Sequence, residues 1–327
     1  MSGFQTQVNV QPAPLEAGDF CSANPRSSFQ SGPGGLIAGA AGVTVGAFAW
    51  VTYLTADADY APGTVNSFGF GAPSGFIHRE MQALNTAYPP YVTAAGDNTI
   101  PSGFAIGSLF RSGDFAMLNS GTTQATPGMT AYAFLATGLV RFGTTNTTVT
   151  CATSTVTTPT AISVTATANN NILTVSAVST GTVVAGATLT GSGLIGSGTT
   201  LQVIGQVTPL LAGESLGGVG RYYLNTAEQN VATPITVTGT YGLLTLGAAP
   251  SGAIPIGALV TGGTVGNPCY VRQLLSGTGG SGSTYSVDNA TTSTSATLTF
   301  TLDVATNWVA DSAGAPGEII KTRCIIP

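Results

Sequence analysis

The stretch LTVSAVSTGTVVAGATLTG (173–191) returns as LTLGAAPSGAIPIGALVTG (244–262), at a constant shift of 71 with eight of nineteen positions identical. Downstream, Tyr222-Tyr-Leu-Asn…Ile235-Thr-Val matches Tyr285-Ser-Val-Asp…Leu298-Thr-Phe at a shift of 63, so the second copy lacks eight residues in its middle loops. A repeat of this period marks a supersecondary unit that stacks on its neighbour. Short runs of Val, Thr and Leu broken by glycine are strand signals, and nothing in either copy has a helical period. Each copy opens on a strand, turns through a glycine and closes on an x-Thr-x strand. The repeat therefore predicts two tandem β-modules, 161–239 and 240–301. Leu173/Leu244, Gly181/Gly252, Gly186/Gly257 and Tyr222/Tyr285 are the equivalent core positions.

On either side the composition changes. Residues 161–300 hold five ionisable carboxylate or basic side chains (Glu214, Arg221, Glu228, Arg272 and Asp288), whereas the other 187 residues hold sixteen. Strand-sized runs with turn signals such as Ala-Pro-Ser-Gly (72–75) and Pro-Ser-Gly (101–103) fill 35–160, the spacing of a sandwich or barrel. The uncharged stretch 35–54 alternates Val43, Val45, Ala47, Ala49, Val51 and Tyr53 on one face and reads as strand, not as a membrane span. Ile77 to Ala87 has the propensity of a short helix. The segment 302–327 returns to the body composition with Trp308, so the modules are read as inserted into one β body made of 35–160 and 302–327. Residues 1–34 carry Pro12, Pro14, Pro25 and Pro33, which favour extended chain. Phe4, Val8, Val10, Leu15 and Phe20 make this an arm that seeks another surface to lie on. Deleting 1–30 is expected to leave a folded protein. The fold class is all-β: a sandwich or barrel body, an extended N-terminal arm and two inserted modules.

Only 21 of 327 residues are Asp, Glu, Lys or Arg, against about a quarter in a typical soluble domain. Monomers use interspersed surface charge to stay soluble, so a chain that gives it up is expected to pack among other subunits. A net charge of -5 leaves no basic face for phosphates, and no nucleic-acid partner is expected. No signal peptide and no membrane partner are expected. Cys21, Cys151, Cys269 and Cys324 are scattered without C-x-x-C spacing and read as free, mostly buried thiols, with a disulfide left open.

Six strings carry a resemblance: MSGFQTQVNVQPAP (1–14), GDF (18–20) with SANPR (22–26), GPGGL (32–36), AGVTVGAFAW (41–50), PSGFIHREMQAL (73–84) and NWVADSAGAPGEIIKT (307–322). Together they resemble bacteriophage capsid cement (decoration) proteins, the structural cement proteins of tailed phages, over roughly 1–142 and 303–323. The resemblance implies a small β-rich body that binds the outside of a phage head and clamps neighbouring major capsid proteins. The inserted 161–300 region is not part of that pattern. The capsid-interface candidates are Phe4, Val8, Val10, Leu15, Phe20, Asn24, Pro25 and Arg26.

Catalytic and cofactor signals are weak. His78 stands beside Arg79 and Glu80 without an activated Ser or Cys, and such a pair is more often a structural hydrogen bond. Asp57 and Asp59 offer two oxygens where Ca²⁺ takes six to eight. GSGLIG (191–196) fits a dinucleotide fingerprint but lacks the helix that the chemistry needs. No enzyme activity, metal or cofactor is expected. The first functional reading is a structural virion protein on the capsid exterior, partnered by the major capsid protein and self-associating as a homo-oligomer, dimer or trimer. The alternative is a glycan- or receptor-binding spike or fibre component that uses Tyr222, Tyr223, Tyr241 and Tyr270. Recurrence of tyrosine at matched repeat positions favours packing within each module instead.

Overall fold

The computed structural model describes residues 15–32, 34–39, 41–52, 63–79, 98–170, 172–198, 201–207, 210–225, 229–266, 268–288 and 292–324. Among these the regular structure is all β. The first eleven strands are β1 (Ser27–Ser28), β2 (Leu36–Ala38), β3 (Val43–Thr44), β4 (Phe48–Thr52), β5 (Gly63–Asn66), β6 (Gly75–Ile77), β7 (Thr99–Ile100), β8 (Leu109–Ser112), β9 (Ala116–Leu118), β10 (Thr130–Phe134) and β11 (Val140–Gly143). Next come β12 (Thr148–Asn170), β13 (Ile172–Thr180), β14 (Thr188–Gly191), β15 (Val203–Gln206), β16 (Gly220–Leu224) and β17 (Gln229–Thr245). The chain continues through β18 (Leu259–Thr261), β19 (Val271–Ser276), β20 (Thr284–Val287) and β21 (Ser293–Thr301), and ends with β22 (Asp303–Ala310) and β23 (Ile319–Cys324).

The body is a sandwich of a six-stranded sheet, β1-β8-β6-β4-β5-β2, and a five-stranded sheet, β11-β10-β22-β23-β9. Among the described residues no sheet closes into a barrel, and the sandwich is the form the body takes. One core joins Phe48, Trp50 and Phe76 to Phe115, Met117, Phe142, Trp308 and Ile320. Trp50 and Trp308, 258 positions apart, share it. A second core on the opposite face of the six-stranded sheet takes Val43, Val45, Ala49, Val65, Ile77 and Leu109. Successive residues of a strand point to opposite faces, so Phe48 and Trp50 enter one core while Ala49 enters the other. That explains why 48–50 are all buried, without an apolar/polar alternation. The expected helix fails at its first residue, since Ile77 lies in β6 and pairs with Leu109. Residues 80–87 of that expectation lie outside the described residues.

The chain leaves the body at Asn146–Thr147 and returns at Asp303. The fully buried Asp303 carboxylate ion-pairs with Arg141 and accepts the Thr147 N–H at 3.0 Å and the Asn146 Nδ2 at 3.2 Å. The Leu302 N–H donates to the Thr147 carbonyl at 2.9 Å, and the Leu135 N–H to the Leu302 carbonyl at 3.0 Å. One acidic side chain thus clasps both crossing strands.

Beyond the clasp the two repeats have the same strand order. β13 pairs β16 and β16 pairs β15; in the second copy the end of β17 pairs β20 and β20 pairs β19. β14 pairs β17 as β18 pairs β21. Leu173 faces Tyr222 across the strands as Leu244 faces Tyr285, and all four are buried. The Gly186 N–H donates to the Val203 carbonyl and the Gly257 N–H to the Val271 carbonyl, both at 2.8 Å. The cores, however, cut across 161 and 240. β12 supplies Val149, Cys151 and Val156 to the second module and Ile162, Val164 and Ala166 to the first. The long ladder of β12 with β17, from Thr155↔Thr245 to Asn170↔Gln229, is a spine shared by both.

Candidate interface sites

The described part of the N-terminal segment lies on its own body. Phe20 stacks on His78 (3.8 Å between centroids, 28° between planes) and meets Phe115 at 5.2 Å and Phe110 edge-on at 5.4 Å. The Arg26 guanidinium caps Phe20 at 3.7 Å, a cation–π contact. Backbone bonds run from Gly18 N–H to the Ala116 carbonyl, from Ala116 N–H to the Asp19 carbonyl and from Cys21 N–H to the Asp114 carbonyl. Arg79 pairs with Glu16 and, at 3.3 Å, with Asp19. His78 Nδ1 sits 2.6 Å from the Gly18 carbonyl, which can only accept, so Nδ1 is the donor and the ring is anchored to the N-terminal segment. These contacts correct the expected arm. Phe20 is half-buried and packs against this chain's own core, and Leu15 is half-buried, so removing 1–30 would strip an aromatic that covers that core. Asn24, Pro25 and Arg26 remain exposed, with the Asn24 amide held by Asp114 at 2.6 Å. Phe4, Val8 and Val10 lie outside the described residues, as do Asp57 and Asp59. Among the described residues no cluster of three or more His, Cys, Asp or Glu could hold a metal.

The aromatics proposed for sugar contact divide. Tyr222 and Tyr241 are buried in the first module's core. The Tyr222 hydroxyl donates to the Gly218 carbonyl at 2.7 Å, and burial pushes its pKa up to about 12. Neither ring can stack on a ligand. Tyr223 and Tyr270 are half-exposed, and Tyr270 packs at 5.7 Å on Phe70 of the body.

Body and modules meet around the two equivalent glycines. Gly186 has φ of +84° and Gly257 of +90°, conformations that favour glycine. A Cβ on Gly186 would strike the Arg272 side chain, and one on Gly257 the Gly69 carbonyl oxygen. Arg272 pairs with the buried Asp288 and lies over Phe70 at 3.9 Å. Gln273 Oε1 accepts the Ala185 N–H at 3.1 Å, and the Ser286 hydroxyl donates to the Ala185 carbonyl at 2.9 Å. Beside this junction opens a cleft of about 490 Å³ lined by all three parts, with Trp50, Phe68, Phe70, Ile204, Ile256 and Arg272 among its walls. Sequence reasoning missed it. Its one local signal was Ser-Phe-Gly-Phe-Gly (67–71), a turn with two aromatics that no local core needs. Cys269, in the second module's core, is fully buried, and burial raises its thiol pKa to about 12. All four cysteines are free.

A family model described as XM1 gp53 minor capsid protein matches residues 4–269. The chain belongs to that family. It is a phage capsid protein with a structural role in the virion. The match runs through the first module and into the second, so the 161–269 stretch, which the cement-protein resemblance left out, is within the family's own pattern. It stops before β22 and β23, which the fold places in the body core. No curated protein and no solved structure matches this minor capsid family member.

Proposed function

We propose that the protein is a non-enzymatic cement subunit, bound to the outer surface of the capsid and clamping neighbouring major capsid proteins. The family match over 4–269, to a minor capsid protein, supports the capsid part of this reading. The low charge supports it, because charged groups are depleted in the core of an interface. The mechanism is burial. The sandwich body rests on the shell, and residues 1–14, uncharged and apolar at Phe4, Val8 and Val10, reach onto an adjacent capsid subunit and add strand pairing. At full extension a chain of fourteen residues reaches roughly 45 Å, enough to cross a subunit boundary. Self-association on the capsid exterior completes the reading. Cryo-EM of the intact particle tests it: density outside the head across subunit boundaries is expected, and density on the tail or inside the shell overturns it. A chain lacking 1–14 should fold and lose occupancy on heads, whereas full occupancy argues against the clamp.

A further inference from the structure

Nine large hydrophobic side chains are exposed among the described residues, and they are not scattered. Phe68, Phe70, Ile204 and Ile256 line the junction cleft. Leu210, Leu211 and Leu216 stand on the loop between β15 and β16, with Leu216 at 75% exposure. Four and three make seven of the nine. Apolar surface gathered in this way marks an interaction site.

The leucine loop is built rather than slack. Glu214 accepts the Leu211 N–H at 2.7 Å and the Arg221 Nε at 2.8 Å. Gln206 bonds the Ser215 carbonyl at 2.8 Å and the Gly217 N–H at 2.9 Å. The second module is an internal control. Its equivalent loop, 277–283, is Gly-Thr-Gly-Gly-Ser-Gly-Ser, seven residues with nothing apolar, against thirteen in 207–219. The longer loop is not needed to close the module. Its described part, 210–219, holds three exposed leucines in a hydrogen-bonded shape.

Cleft and loop also match each other. Each is electrically neutral, since Arg272 is paired with Asp288 and Glu214 with Arg221. A charged partner would find no counter-charge at either place, and a neutral apolar one would. Three leucine side chains, twelve carbons at roughly the 30 Å³ of a water-sized group, need about 360 Å³, and the cleft offers about 490 Å³. We infer that the leucine loop of one copy seats in the junction cleft of a second copy, a head-to-tail contact between chains. This deepens the self-association part of the proposed function and rests on it. A contact of two different patches propagates, closing a ring or extending a row of subunits.

Complementation tests it. One variant carries Leu211→Asp and Leu216→Asp, which spoils the loop and leaves the cleft. The other carries Ile256→Asp, which spoils the cleft and leaves the loop. All three positions are exposed, and circular dichroism with thermal melting verifies that the variants fold. In sedimentation velocity the unmodified chain should assemble with concentration, and each variant alone should need at least about tenfold more protein to do so. An equimolar mixture of the two should form a dimer, because the intact loop of one meets the intact cleft of the other. Assembly unchanged in either variant, a mixture that stays monomeric, or an unmodified chain monomeric throughout overturns the contact. Occupancy on heads, read separately by cryo-EM, then still decides the capsid reading.

Discussion

The Asp303 side chain ties together the two strands by which the chain leaves and re-enters the body. Its carboxylate is fully buried, ion-paired with Arg141, and accepts from the Asn146 amide and the Thr147 N–H at the point where the chain leaves the body. Removing one partner of a buried ion pair leaves the other uncompensated, at a cost of about 3–5 kcal/mol. Asp303→Asn should therefore destabilise the body by about 3 kcal/mol in urea unfolding. A loss below about 0.5 kcal/mol, the usual scale of a surface substitution, would show that the clasp contributes little. Gly186 and Gly257 are informative at the same scale. Their sequence equivalence marked them as core, and the reason they must be glycine is contact: one meets the second module's arginine, the other the body's Gly69 carbonyl.

At the scale of elements, the β15–β16 loop carries a pH dependence. The hydrogen bond from Arg221, then the Leu211 N–H, holds the Glu214 carboxyl below its ordinary range. A lowered carboxylate stabilises the loop above the ordinary value, and that contribution disappears as pH falls through the lowered one. Amide exchange at Leu211, corrected for intrinsic rate, should be slow near pH 6 and speed up below about pH 4. Glu214→Gln should exchange fast at both. Hydrogen exchange with mass spectrometry checks this, and a pH-independent protection in the unmodified chain would count against it. The long strands β12 and β17 act at this scale too. Their shared ladder makes the modules neighbours on one spine, so the module boundary is a position along two strands and not a linker.

For the whole molecule, the discontinuous body sets the order of dependence. β22 and β23 lie inside the five-stranded sheet, and Trp308 bonds the Gly113 carbonyl at 2.8 Å from within the core. A chain ending at Leu302 should lose the body, with Trp50 exposed and no cooperative melt for that unit, although the truncation removes nothing inside the 4–269 family match. Intrinsic tryptophan fluorescence with a thermal scan measures it. A native-like emission of Trp50 and an unchanged melt would mean that the body folds without its C-terminal strands. Loss of the body would also remove one wall of the junction cleft, and with it the contact between copies.

Some of this was written in the chain order and some was not. The repeat, its equivalent Leu173/Leu244 and Tyr222/Tyr285 pairs and the all-β class were legible, because strand periodicity and turn chemistry are local properties of a few consecutive residues. The return of 302–324 to the body was legible from composition alone, and only its place between β10 and β9 required the sheet. The double-faced burial of β4 was hidden, since one apolar run cannot say which of two cores each neighbour enters. Phe20 was misplaced for the same reason: an apolar residue among prolines suits a foreign surface or its own body equally well, and the aromatic cluster of His78, Phe110 and Phe115 decided it. The cleft was beyond local reading altogether. Its walls come from residues 50–74, 185–204 and 256–272, and cavities arise from packing of distant segments, which burial energy selects only once the chain has closed on itself.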